Sequence, residues 1–167
     1  MSHAYFITIC VYDNQHLFSR VENDKSLLTD AGLMAGKWWL ELENKFKHIK
    51  LDEYIIMPNH MHGIIIISES SVGDGLRAVP QDIGNKLEKE KSLSIPDIIH
   101  WFKTMSTNEY IRGVKQNIYS PFKKHLWQRS YYDRIIRNEK ELKSIREYIY
   151  YNPLKWDWEK NHPENLS

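Results

Sequence analysis

The sequence predicts an α+β fold: one antiparallel sheet with helices packed against it and an extra helix near the C-terminal end. Three observations predict it. Stretches rich in β-branched and aromatic residues recur at 4–12, 48–56 and 61–68. Apolar residues recur at helical spacing over 27–46, 95–112 and 139–152. The residues from Met57 to Met61 that join the second and third strand-like stretches are few enough for a hairpin, which makes those strands antiparallel neighbours.

The first strand, Ala4 to Tyr12, carries Tyr5, Phe6, Ile7, Thr8, Ile9 and Val11. Residues 13–26 are polar and read as loop. From Leu27 to Phe46 the stripe Ala31, Met34/Ala35, Trp38, Leu42, Phe46 marks an amphipathic helix. Trp38 and Trp39 are adjacent and cannot both face inward, so one must cover an edge. His48 to Ile56 and Met61 to Ser68 follow as strands. The run Ile64–Ile67 is apolar on both faces, as in a central strand covered on both sides. The stretch 70–92 combines three glycines, a proline and a run of alternating charge, and reads as a flexible insertion within a single domain spanning 1–167. Ser94, Pro96 and Asp97 form a helix-start signal, after which Ile95, Ile98, Phe102 and Met105 make a buried stripe. Leu126 to Ile136 fits a further strand. Glu139 to Asn152 fits a third helix stopped by Pro153, with a tail that is surface-lying or frayed. The order strand–helix–strand–strand–helix–strand–helix is the split βαβ, ferredoxin-like pattern with one added helix.

Composition excludes several classes. With 41% hydrophobic and 27% charged residues, the 167-residue chain has the balance of a water-soluble globular protein with a real core. No apolar stretch approaches the ~18 residues that cross a bilayer. No secretory signal pattern opens the chain, and Cys10, the single cysteine, makes neither an internal disulfide nor a thiolate zinc site. These features point to a cytoplasmic protein.

The richest stretch for chemistry is Met57-Pro58-Asn59-His60-Met61-His62-Gly63. Side chains two apart on a strand share a face, so His60 and His62 project together. Pro58 and Asn59 are turn residues, which puts the pair at the mouth of the strand. Two parallel imidazoles make half of a divalent-metal or phosphate site. Spacing alone does not decide it, because a close pair among eight histidines also arises in ordinary packing.

A second constellation lies downstream. Between Lys103 and Arg146 the chain has eleven Lys/Arg against four Asp/Glu, although its overall net charge is only +1. Tyr110, Tyr119, Phe122, Trp127, Tyr131 and Tyr132 interleave with these cations, a combination suited to single-stranded nucleic acid. In the third helix Leu142, Ile145 and Ile149 form the core stripe, with Tyr148 and Asn152 one turn apart at its border. Taken alone, these tyrosines also fit simple aromatic packing.

Together, Pro58-Asn59-His60-Met61-His62, Trp127-Gln128-Arg129 and Tyr148-Ile149-Tyr150-Tyr151-Asn152-Pro153-Leu154-Lys155 resemble the single-tyrosine transposases of the HUH endonuclease superfamily, and among them the REP-associated tyrosine transposases. The resemblance runs from about Tyr5 to Trp156. It implies that His60, His62 and Asn152 hold Mg²⁺ or Mn²⁺, and that Tyr148 attacks a DNA phosphate to leave a 5′-phosphotyrosine and a free 3′-hydroxyl. It further implies single-stranded hairpin DNA as partner, with Lys103, Arg129, Arg134 and Arg137 as phosphate contacts, in a prokaryotic, chromosome-associated protein. Monomer and homodimer both remain open. The alternative is a non-catalytic, single-stranded nucleic-acid-binding module of the same fold. A replication-initiator or relaxase-type nickase is disfavoured because 167 residues hold no accessory domain.

Overall fold

The computed structural model describes residues 2–68 and 93–161. The strands are β1 (Ser2–Cys10), β2 (Ser19–Glu22), β3 (Lys25–Leu28), β4 (Ile49–Ile56), β5 (His60–Ser68) and β6 (Tyr132–Ile136). The helices are α1 (Asp30–Lys45), α2 (Ile95–Lys115), α3 (Glu139–Tyr150) and α4 (Asn152–Asn161). Four strands form one sheet in the order β4-β5-β1-β6, each pair antiparallel, and β2-β3 is a separate hairpin. With that hairpin set aside, the order is that of the ferredoxin-like split βαβ.

Strand periodicity sorts the side chains onto two faces. Ile7, Ile9, Met61 and Ile65 meet Ala35, Trp39 and Leu42 of α1 and Ile98 and Phe102 of α2 in the larger core. On the opposite face Ile64 and Ile136 meet Leu142, Ile145 and Ile149 of α3, with Phe6 and Ile66 packed against them. The sheet is thus a middle layer with apolar side chains on both sides, as the Ile64–Ile67 run predicts. Arg146 adds a two-point ion pair from α3 to Asp52 of β4, with Nε–Oδ1 2.9 Å and Nη2–Oδ2 2.5 Å. The Arg146 guanidinium holds the Asp52 carboxyl below its usual range.

Four local expectations need correction. Part of the segment read as loop is the β2-β3 hairpin. Its turn residues Asn23 and Asp24 both have positive φ, 50° and 59°, as a type I′ turn requires and as these residue types tolerate. Its strands are only four residues long, too short to show alternation. On α1 the residue facing the core is Trp39, fully buried, while Trp38 sits at the edge and donates from Nε1 to Glu109 at 2.6 Å. Trp39 fits because it lies against Gly63 of β5, where no side chain intervenes. The strand expected over 126–136 is regular only from Tyr132; Leu126 and Trp127 are buried before it, and Trp127 bridges to Val11. Finally, Pro153 opens a helix as well as closing one. α3 ends at Tyr150, and Pro153 occupies the first turn of α4, where its missing N–H has no partner to lose. The insertion expected over 70–92 lies outside the described residues, save that the fold resumes at Leu93.

The Gly63–Trp39 contact gives a direct test. A β-carbon at position 63 falls deep within contact distance of the Trp39 ring, and that ring is itself held by the core. Gly63→Ala is expected to destabilise the fold by about 1–3 kcal/mol in urea melts, the usual cost of overpacking; an unchanged midpoint would show that Trp39 moves freely.

Candidate active site

β5 and α3 bring the two predicted constellations together. The 57–60 turn closes with Met57 N–H donating to the His60 carbonyl at 2.8 Å, so His60 stands at the strand mouth and His62 one pleat further in. Their rings lie 4.7 Å apart, centroid to centroid. Across the face, the Tyr148 ring lies 5.3 Å from that of His62 and meets the edge of Phe6 at 6.0 Å, while Phe6 stacks on His62 at 5.3 Å. Tyr148 is 42% exposed, so its phenol is reachable from solvent.

The imidazoles are held and kept neutral by their surroundings. His62 is 6% exposed, and its Nδ1 lies 2.8 Å from the Thr8 hydroxyl on the neighbouring strand. Thr8 is the cross-strand partner of His62 in the β1-β5 register. His60 Nδ1 lies 2.7 Å from the Asn59 side-chain oxygen, which fixes that nitrogen as the protonated one and leaves Nε2 with its lone pair. Burial pushes the His62 pKa from 6.5 down to about 3, with His60 and Lys155 adding in the same direction. Burial also lowers His60, against a hydrogen bond to the Asn152 side chain that raises it. Asn152 is itself buried at the start of α4. Lys155, one turn on, sets its ammonium 5.7 Å from the Tyr148 ring centre, and Trp156 covers His60 at 5.8 Å. A cation and two neutral imidazoles beside an accessible phenol make a pocket for an anion.

The four expected phosphate contacts fall in different places. Arg129 and Arg137 are exposed. Arg134 is exposed but pairs with Glu141 at 3.0 Å, on the rim of a groove that leads to Tyr148. Lys103 is half-buried and directs its ammonium at three successive carbonyls, those of Gln128, Arg129 and Ser130, at 2.8, 3.2 and 3.1 Å. Its hydrogen-bonding capacity is spent on the loop that carries Arg129.

Comparison with known proteins places this arrangement. The family model described as IS200-like transposase matches residues 86–152, which include Tyr148 and Asn152. A Haemophilus influenzae protein provisionally named a REP-associated tyrosine transposase is 25% identical over 156 residues, covering 90% of this chain and 70% of that protein. An uncharacterized protein of the same organism is 35% identical over 153 residues, covering 92% of this chain and 81% of its own length.

The chain belongs to the IS200-like transposase family.

Within that family its resemblance is to the REP-associated tyrosine transposases. A solved structure of such a transposase bound to a REP hairpin shares its fold, with TM-score 0.60 and 18% identity over 93% of this chain and 69% of that one.

The residues present fit a divalent ion in part. Two neutral imidazoles and a buried amide converge, and Thr8 and Asn59 hold the ring nitrogens in place as carbonyls and hydroxyls do around bound metals. Among the described residues no group of three or more His, Cys, Asp or Glu has the geometry of a metal cage. A hard cation would therefore draw further oxygens from its substrate or from water. Sequence reasoning missed Thr8 and Phe6, whose roles arise from the β1-β5 register. The alternation of Phe6, Thr8 and Cys10 along β1 was the available signal, but nothing in it names β5 as neighbour.

The depressed His62 pKa fixes a pH dependence. The unfolded chain takes up its proton near pH 6.5, whereas the folded chain resists protonation until about 3. Stability should accordingly fall as pH drops from about 6.5 towards 3. Urea melts across that range, with NMR titration of the His62 imidazole protons, check it: His62 is expected to stay neutral until the pH approaches 3.

Proposed function

We propose that this protein nicks and rejoins single-stranded DNA through a covalent bond to Tyr148. The observation that carries the reading is the 5.3 Å approach of the Tyr148 and His62 rings, from opposite halves of one chain, with Tyr148 lining a groove open to solvent. A buried structural tyrosine would not be 42% exposed, and a mere base platform would not need two hydrogen-bonded, neutral histidines beside it.

In the step proposed, Tyr148 Oη attacks the phosphorus of a phosphodiester. The Oη–P bond forms as the P–O3′ bond breaks; the phenol proton leaves to solvent, and the departing 3′-oxygen takes a proton. The product is a 5′-phosphotyrosine and a free 3′-hydroxyl. The covalent bond conserves the phosphodiester, so a second strand's 3′-hydroxyl can reverse the step and join without ATP. Lys155 places positive charge where the phosphate sits. A divalent ion, Mg²⁺ or Mn²⁺, held by His60, His62 and Asn152, would supply a Lewis acid for the non-bridging oxygens. Asn59 and Thr8 orient the two rings for that task, and Phe6 keeps water from one side of His62.

The partner proposed is single-stranded DNA bearing a hairpin, by likeness to the relative solved with a REP hairpin. Arg129, Arg134 and Arg137 would meet backbone phosphates, with Lys103 shaping the loop behind Arg129. One chain supplies every member of the site, so a monomer suffices for chemistry. The place of action is the prokaryotic chromosome; among the described residues no helix is long and apolar enough to cross a membrane.

The test uses single-stranded hairpins from the DNA flanking the gene, with Mn²⁺ and a denaturing gel. Wild-type protein should give a DNA adduct that a chelator prevents. Tyr148→Phe should bind the DNA and give none, and His62→Ala should slow adduct formation by about a hundredfold or more. An adduct persisting in Tyr148→Phe would overturn Tyr148 as the nucleophile, and binding with no adduct in the wild type would leave only the binding-module reading.

A further inference from the structure

We propose that the groove beside Tyr148, between β6 and α3, is a slot for one unpaired nucleobase next to the attacked phosphate; this rests on the nicking function proposed above. The groove has a volume of about 430 Å³ and adjoins the candidate site, with Tyr148 and Thr8 among its walls. Phe6 and Ile145 line it on the apolar side, and Tyr132, Arg134 and Ser144 line it on the outer side.

Register explains why these residues converge. On β1 and β6, Thr8 faces Tyr132 and Phe6 faces Arg134, so the residue that hydrogen-bonds His62 stands beside the Tyr132 ring. Tyr132 is 66% exposed, and among the described residues no ring is stacked on it. An aromatic face left in solvent beside an apolar floor suits a planar, π-bearing ligand better than a sugar or phosphate. Polar groups stand at the edges: the Ser144 hydroxyl, which donates to the Lys140 carbonyl at 3.1 Å, and Arg134, which is tied to Glu141 at 3.0 Å. That ion pair links β6 to α3 across one end of the groove and keeps it open.

Continuity decides the occupant. A strand whose phosphate lies between Tyr148 and the histidines must carry a nucleoside away on each side. One side is crowded by Trp156, Lys155 and Asn152. The other opens into this slot, where the adjoining base can leave water and lie against Tyr132 and Tyr148. The slot thereby contributes to the choice of cleavage position, because the neighbouring base must be unpaired to enter.

The probe is a short oligothymidine carrying one internal 2-aminopurine, whose fluorescence falls on stacking. Binding is followed with wild type, Tyr132→Ala, Ser144→Trp (which fills the slot from the exposed side of α3) and Arg129→Ala. Wild type should quench the probe. Tyr132→Ala and Ser144→Trp should lose the quenching and bind roughly tenfold more weakly, in the range of one stacked base. Arg129→Ala should bind more weakly yet quench fully at saturation. No quenching by wild type, or unchanged quenching and affinity in Ser144→Trp, would overturn the slot. Because equilibrium binding is read without cleavage, its outcome is independent of whether the Tyr148 adduct forms; an adduct with no slot, or a slot with no adduct, would each be seen as such.

Discussion

The site exists because α3 is fastened to the sheet face that carries the histidines. Ile64 and Ile136 from the sheet and Leu142, Ile145 and Ile149 from α3 are all buried in that seam. Each such burial stabilises by roughly 1.5–3 kcal/mol. The Arg146–Asp52 pair is partly exposed and belongs with surface ion pairs, worth about 0–1 kcal/mol. Hydrophobic contact therefore carries the attachment, and the ion pair fixes the register in which α3 lies. Since Tyr148 immediately precedes Ile149, locking Ile149 into the seam turns the phenol towards His62. A helix turned by one residue would bury Tyr148 or Tyr150 in place of Ile149 and point the phenol elsewhere.

The same seam divides the labour between burial and access. On its sheet side, desolvation keeps His60 and His62 neutral, which is the form that binds a cation or accepts a hydrogen bond. On its solvent side, Tyr148 and Tyr132 stay open, and Arg134 of β6 stands on the rim of the groove that they line. Asn152 and Lys155 reach the site because the chain turns at Tyr151 and restarts as α4 at Asn152, with Pro153 in its first turn. Had α3 run straight on, those two residues would have followed its axis away from His60.

The sequence carried the layout well, and its losses have physical causes. The His60/His62 pair, Tyr148 and Asn152 were legible because strand alternation and helical spacing fix which face each residue takes. Which faces then meet depends on strand order. Periodicity says that Thr8 shares a face with Phe6, but the β1-β5 hydrogen bonds place it against His62. Trp38 and Trp39 were indistinguishable as core candidates until Gly63 was seen to make room for one. Pro153 was read as a stop because a proline ends a helix from within, yet in a first turn it costs nothing. Lys103 looked like a free phosphate contact; only folding turns the 128–130 carbonyls towards its ammonium.

Mass spectrometry of the trapped adduct tests the central geometry most directly. Trypsin should release the segment from Glu147 to Lys155, which holds three tyrosines: Tyr148, Tyr150 and Tyr151. Tyr150 and Tyr151 are more exposed than Tyr148, so accessibility alone would favour them. If the α3 seam aims the nucleophile, the nucleotide will be found on Tyr148 alone, joined through a 5′-phosphate. A nucleotide on Tyr150 or Tyr151, or a 3′-phosphate linkage, would contradict it.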